Sequence, residues 1–238
     1  MHEWSGNSRR RFLGGAAATG GGLILSAYGA QAQSTAKKAG GEEEEDVSPA
    51  EDLMREHGVL KRVLLIYREG IRRIDAKQEL PPETLASSAK LIQTFIENYH
   101  EKLEEEQLFP RFRKAGTLVD LVNTLEEQHK RGRILTERTI SLSKAATFKN
   151  AQEVAKLRES LHLFVRMYEP HEAREDTVLF PAFRKIVTPN EYDSLGEEFE
   201  DKEHELFGEE GFEKNVELVS RLEKTLGIYD LAKFTPPV

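Results

Sequence analysis

The stretch His100-Glu-Lys-Leu-Glu-Glu-Glu-Gln-Leu-Phe-Pro-Arg-Phe-Arg-Lys114 is written a second time as His171-Glu-Ala-Arg-Glu-Asp-Thr-Val-Leu-Phe-Pro-Ala-Phe-Arg-Lys185. Nine of the fifteen positions are identical, among them the His, the Glu four residues on and the Leu-Phe-Pro that follows. Such self-similarity marks one supersecondary unit used twice. Each copy has a further histidine upstream: His57 lies 43 residues before His100, and His129 lies 42 residues before His171. On a helix, residues four apart share a face about one turn apart, so His100 with Glu104, and His171 with Glu175, each aim at one spot. Two such units set face to face offer four imidazoles and two carboxylates to a common centre.

The flanks of the repeat read as helices. Ser48-Pro49-Ala50-Glu51 is a capping box with proline at the first helical position. Leu53, His57, Leu60, Leu64, Tyr67, Ile71 and Ile74 follow at alternating spacings of four and three, which puts His57 on a buried seam. Pro81-Pro82 opens a second helix, whose seam Leu85, Ala89, Ile92 and Ile96 leads to His100 before Gly116 interrupts. A third helix runs through Leu118, Val122 and Leu125 to His129 and on toward Ile140. Asn150-Ala151-Gln152-Glu153 caps a fourth, with Leu157, Leu161, Phe164, Tyr168, His171, Glu175 and Val178 in the same rhythm, and Pro170 predicts a kink in it. Thr188-Pro189-Asn190-Glu191 starts a shorter fifth helix that ends at Gly208 and reads as charged all round, a solvated cover. A sixth runs from about Phe212 to Leu226, stopped by Gly227, and the tail from Ile228 to Val238 is expected to dock through Tyr229 and Phe234. No alternating strand pattern appears. The fold class is therefore all-α: an antiparallel four-helix bundle over residues 48–187, with two shorter C-terminal helices in a helical extension over 188–238.

With 238 residues and 38% hydrophobic content, the chain fits one domain plus appendages. There are no cysteines, which removes disulfides, thiolate metal sites and cysteine nucleophiles and leaves histidine and carboxylate as metal ligands. A net charge of -8 argues against nonspecific nucleic-acid binding, and no stretch is long and apolar enough for a stable membrane span. At the N-terminus, Ser8-Arg9-Arg10-Arg11-Phe12-Leu13 matches the twin-arginine pattern; a Gly/Ala-rich run from Gly14 to Tyr28 follows, then Ala30-Gln31-Ala32 as a small-x-small cleavage site. Residues 1–32 are thus expected to be a twin-arginine signal peptide, and the mature chain a folded passenger of that export machinery delivered to the periplasm. Without them, 31 basic and 41 acidic residues remain, a net of -10. Residues 33–47 read as a polar linker ending in the acidic run Glu42-Glu43-Glu44-Glu45-Asp46.

Burying a histidine or glutamate without a partner is costly, and here His57, His100, Glu104, His129, His171 and Glu175 would converge in one bundle core. A metal resolves that cost. Imidazole and carboxylate without sulfur suit iron, manganese or zinc, and two carboxylates able to bridge point to a dinuclear site. Of the two other histidines after residue 32, His162 takes the place of Leu91 in the other copy and reads as structural or surface. His204, in Glu200-Asp201-Lys202-Glu203-His204-Glu205, sits among groups able to bind metal on the charged fifth helix. Tyr99 and Tyr168 lie beside or near ligand positions and read as core packing, each with a phenol able to hydrogen-bond a bound oxygen species.

Over Leu53 to about Ile186 the chain resembles the hemerythrin family, in particular the bacterial hemerythrin-like domains named for a His-His-Glu cation-binding motif. The resemblance rests on His57, His100-x-x-x-Glu104 with Leu108-Phe109-Pro110, His129, and His171-x-x-x-Glu175 with Leu179-Phe180-Pro181. Ferritin-like di-iron proteins, the near alternative, use Glu-x-x-His where the repeat here carries His-x-x-x-Glu. The resemblance implies a non-haem di-iron centre, oxo- or hydroxo-bridged, with His57 and His100 on one iron, His129 and His171 on the other, and Glu104 and Glu175 bridging. An open position would take dioxygen, nitric oxide or peroxide. Oxygen-carrying members have a second histidine one turn after the third-helix ligand, where this chain has Arg133; their last carboxylate falls five residues after its histidine, which makes Asp176 the alternative to Glu175. These departures leave room for redox reactivity. The expectation is an exported protein that binds a small ligand at a di-iron centre; the rival readings are an oxidoreductase acting on peroxide or nitric oxide, an iron-handling protein, and a metal-free bundle working through protein contacts.

Overall fold

Ser48 opens the first helix as its capping box predicts, its Oγ accepting the Glu51 N–H at 3.3 Å, and α1 runs Pro49–Asp75. The structure, a computed structural model, describes residues 47–238, so the expected signal peptide and nearly all of the expected linker lie outside the described residues. Helix α2 is a continuous helical run over 82–115, α3 spans Val119–Leu142, and α4 is a second composite run over 151–183. Helices α5 (Pro189–Phe207) and α6 (Gly211–Leu226) follow, with short 3-10 turns at Thr147–Lys149 and Leu231–Phe234. No strand occurs among the described residues. The side-chain caps fall where the sequence places them, at Ser48, Asn150 and Thr188. Gly116, Gly208 and Gly227 end their helices at φ 64, 79 and 70, angles that glycine adopts without a Cβ penalty.

Helices α1 to α4 form a closed ring in which each packs against its two neighbours. Asp75 pairs with Arg158 while His57 meets Asp176, so α1 and α4 run antiparallel. The seam residues Leu53, Leu60, Leu64, Tyr67, Leu85, Ile92, Ile96, Val122, Leu125, Leu157, Leu161 and Phe164 are all buried in the shared core. The second Phe of each repeat closes one end, with Phe112 and Phe183 centroids 5.9 Å apart. Helix α6 lies along α1 and α2, where Arg62 grips Glu223 and the Arg73 guanidinium donates at 2.6 Å to the Leu226 carbonyl, one of the orphan acceptors at a helix C-terminus.

Neither composite helix is α-helical throughout. Both widen to a π-turn at the same place in the repeat, Glu104–Leu108 and Glu175–Leu179, and each turn closes with the Phe109 or Phe180 N–H bonded to the Glu104 or Glu175 carbonyl. A proline follows directly in both copies. Proline has no N–H and its ring clashes with the carbonyl four residues back, so a locally wider turn just before it relieves the conflict without ending the helix. An additional π segment, Ile92–His100, occurs in α2 alone.

Five local expectations are corrected. Val178 is 37% exposed while Leu179 is fully buried, because the wider turn advances the inward register by one residue. Pro170 lies within the uninterrupted helix Ala151–Arg174, and the change of helical form falls five residues later. Leu118 precedes α3 as a left-handed cap at φ 51 rather than joining its first turn. Helix α5 is not charged all round: Tyr192, Leu195 and Phe199, spaced on one face, are buried. The tail leaves Tyr229 and Phe234 about half exposed, and its packing against the core comes from Ile228.

Candidate metal centre

His57 on α1, His100 and Glu104 on α2, His129 on α3, and His171 and Glu175 on α4 meet in the middle of the bundle, none more than 3% exposed. All four imidazoles turn Nε2 inward. His57 and His100 Nε2 atoms lie 3.1 Å apart, and those of His129 and His171 lie 3.3 Å apart. Each carboxylate reaches both pairs: Glu104 Oε2 is 3.8 Å from His100 and 3.5 Å from His129, while Glu175 lies 3.3 Å from His57 and 3.1 Å from His171. Two donor triads result, His57/His100/Glu104 and His129/His171/Glu175.

The outer nitrogens are tied down just as regularly. Nδ1–H of His57 donates to Asp176 at 2.7 Å, and that of His100 to Glu56 at 2.7 Å. Nδ1–H of His129 donates to Glu105 at 3.2 Å, and that of His171 to the Gln128 side-chain oxygen at 2.8 Å. With Nδ1–H held by these partners, each Nε2 is the atom presented to the centre; burial lowers the His57 pKa, but Asp176 and Glu175 outweigh it and raise it to about 9, so a metal there would displace the Nε2 proton. The partners obey the repeat: Glu56 and Gln128 directly precede His57 and His129, while Glu105 and Asp176 directly follow Glu104 and Glu175. Phenylalanines exchange between copies in the same way, Phe109 stacking on His129 and Phe180 on His57 with centroids 5.5 Å apart in each case.

A buried carboxylate needs donors, and all four side-chain oxygens of Glu104 and Glu175 are buried without a hydrogen bond of acceptable geometry, although imidazoles stand within ion-pair distance. Burial and the Glu175 charge push Glu104 well above the usual carboxylate range. Burial also raises Glu175, but His171 and His57 outweigh it and hold that group below the range. Bare, the centre can ionise only one of its two carboxylates; a cation would satisfy both. The residues present therefore fit a metal with nitrogen and oxygen donors.

The other sequence candidates lie apart. Asp176 stands on the outer side of the His57 ring, shared with Lys61 at 2.9 Å, and does not face the centre. His162 is exposed. His204 lies 3.9 Å from Glu200 on α5 and belongs to no donor cluster. Tyr168 is fully buried and donates at 2.6 Å to Glu101, so its phenol already has a partner. Arg133 binds Glu101 at 2.9 Å and Glu105 at 2.6 Å on the outer side of His129. Glu56, Gln128 and Glu105 do not stand out as inward-facing donors, although their fixed places beside the repeated histidines and glutamates are visible in the sequence. Glu-x-x-His does occur three times, at Glu97, Glu126 and Glu159, and none of these glutamates joins the cluster. Glu126 pairs with Arg113 near the surface.

Glu97 is buried beside Thr136 and is pushed up by burial to about 7. A carboxyl whose pKa rises on folding lowers stability as pH climbs from its unfolded value, near 4.5, through 7. Glu97→Gln is therefore expected to stabilise the fold by about 2–3 kcal/mol at pH 8 and by little at pH 5, from the size of the shift. Urea unfolding at the two pH values checks this; equal gains would remove Glu97 as the cause.

The family model described as Hemerythrin HHE cation binding domain matches residues 48–155 and 120–230. Uncharacterized proteins of Mycobacterium tuberculosis (strains H37Rv and CDC 1551) and of Mycobacterium bovis are each 50% identical over 190 residues, covering 80% of this chain and 74% of theirs. No solved structure matches. Among the described residues no helix is long and apolar enough to cross a membrane.

Proposed function

We propose, since this chain belongs to the hemerythrin HHE cation-binding domain family, that it holds two iron ions in the bundle core and binds a small ligand such as dioxygen, nitric oxide or peroxide there. His57 and His100 would hold one ion, His129 and His171 the other, with Glu104 and Glu175 between them. One observation carries the reading: four Nε2 atoms close on two buried carboxylates whose oxygens make no hydrogen bond of acceptable geometry. Iron suits a sulfur-free set of imidazole and carboxylate donors and, when bound, supplies the affinity for such ligands. The chain's own part is to pre-set the donors. Nδ1 partners fix each ring, Phe109 and Phe180 shield two of them from water, and the paired π-turns fix the backbone of Glu104 and Glu175.

Turnover is the second reading, an oxidoreductase acting on peroxide or nitric oxide, or an iron-handling protein. It is favoured by the position of Arg133, which serves the outer face of His129 and adds no donor, so that the protein atoms are fewer than two six-coordinate ions accept. Absorption spectra of the iron-loaded protein, taken before ligand, after ligand and after its removal, separate the two. Bands that appear and reverse support a binding protein; bands with ligand consumption under a reductant support the enzyme. No change with any of the three ligands would contradict both.

Export through the twin-arginine pathway to the periplasm is part of the same proposal, supported by Arg9, Arg10, Arg11 and the small-x-small site at Ala30-Gln31-Ala32. Arg9→Lys together with Arg10→Lys is expected to retain the protein in the cytoplasm in cell fractionation. An unchanged periplasmic fraction would contradict it.

A further inference from the structure

The repeat makes the centre look symmetric, yet its outer contacts are not equivalent. Behind His57 and His100 stand two carboxylates, Asp176 and Glu56, each accepting an Nδ1–H at 2.7 Å. Behind His171 the corresponding group is Gln128, a neutral amide, at 2.8 Å. Behind His129 is Glu105, but at 3.2 Å, and its carboxylate also takes charged donors from Arg133 at 2.6 Å and Lys102 at 2.6 Å. Asp176 shares its charge with one cation, Lys61, through its other oxygen. A carboxylate behind a ligating imidazole raises the ligand's basicity and fixes its orientation; an amide fixes the orientation with much less electronic push. A carboxylate already drawn to two cations has less to give.

We propose that the two metal positions are unequal by construction: the His57/His100 position binds its ion more tightly and fills first, and the His129/His171 position is the labile one. Gln128, in the place Glu56 holds in the other copy, is the residue that sets the difference. Gln128 and Glu56 act through the imidazoles and are positioning residues. The inference rests on the two-metal reading above and deepens it. In a protein that handles or exchanges iron, the weaker position is the one through which an ion enters or leaves while its neighbour stays.

The test is an anaerobic titration of the full-length chain, stripped of metal, with ferrous iron, followed by calorimetry with a competing chelator. It is paired with anomalous diffraction from crystals holding one equivalent. The expected result is two steps with affinities at least about tenfold apart, given that outer-shell changes typically alter metal affinity by 10–100-fold. The single equivalent is expected between His57 and His100. Gln128→Glu is expected to strengthen the second step and narrow the gap, and Glu56→Gln to weaken the first. Because Gln128→Glu predicts a gain, loss of folding in Glu56→Gln leaves the proposal testable. Two equal steps, a single equivalent found at His129 and His171, or a gap unmoved by Gln128→Glu would overturn the inequality with the two-metal reading intact. No iron bound at all would overturn the two-metal reading itself.

Discussion

The double variant E104Q/E175Q is expected to fold and to lose its response to metal altogether. In the wild-type chain, a metal present at a hundredfold excess over its dissociation constant adds about 2.7 kcal/mol to stability. For a domain of this size that corresponds to roughly 5–10 °C in Tm, which chelation should abolish. Glu104 is already held in its neutral form by burial and by Glu175, so glutamine at 104 closely copies the metal-free state. Glutamine at 175 removes a buried charge whose neighbours are His57 and His171. Neither change opens a cavity. The variant should nonetheless melt below the metal-free wild type, because the buried partner of His57 and His171 is lost, and its Tm should be the same with or without added iron. A variant still stabilised by iron as strongly as the wild type would show that the two carboxylates are not ligands.

Gly132→Ala is expected to cost about 3–5 kcal/mol, summing overpacking with the loss of a buried hydrogen bond to a carboxylate. Alanine is ordinarily the better helix former by about 1 kcal/mol, so the sign here is opposite to propensity. The reason is space: a Cβ on Gly132 would stand 2.0 Å from the Tyr168 hydroxyl and 2.8 Å from its ring carbon. Tyr168 cannot step aside cheaply. It is fully buried, stacked on Phe164 at 4.3 Å and hydrogen-bonded to Glu101, which in turn binds Arg133 and through it Glu105 on His129. Chemical denaturation measures the loss, and adding Tyr168→Phe should recover part of it by removing the closest atom. A Gly132→Ala protein as stable as the wild type would mean that the ring moves freely and that this network is not rigid.

The sequence was most readable where one chemical rule governs one position. Apolar seams at spacings of three and four, side-chain caps at Ser48, Asn150 and Thr188, and glycine stops at 116, 208 and 227 each depend on local physics, and each appears in the fold. The six central residues were legible because the repeat doubled a weak signal: one His-x-x-x-Glu means little, and two with matching upstream histidines mean a pair of facing helices. What escaped depends on tertiary geometry. Val178 faces inward only if every turn has 3.6 residues, and the π-turn ahead of Pro181 breaks that rule. The apolar face of α5 was hidden by the density of acidic residues around Tyr192, Leu195 and Phe199. Asp176 was a rival ligand on spacing alone, and only the ring orientation of His57 places it behind the imidazole. Glu56, Gln128 and Glu105 escape a pattern of inward-facing donors, although the outward half of each imidazole needs a partner as well.

The central claim is that this bundle exists to hold a pair of ions between its two repeats. Elemental analysis of the protein purified under anaerobic conditions, expressed as iron per chain beside E104Q/E175Q prepared in parallel, tests it most directly. Two irons per wild-type chain and fewer than about one in the variant is the result the geometry predicts. A wild-type chain free of iron, or a variant that retains as much as the wild type, would contradict it.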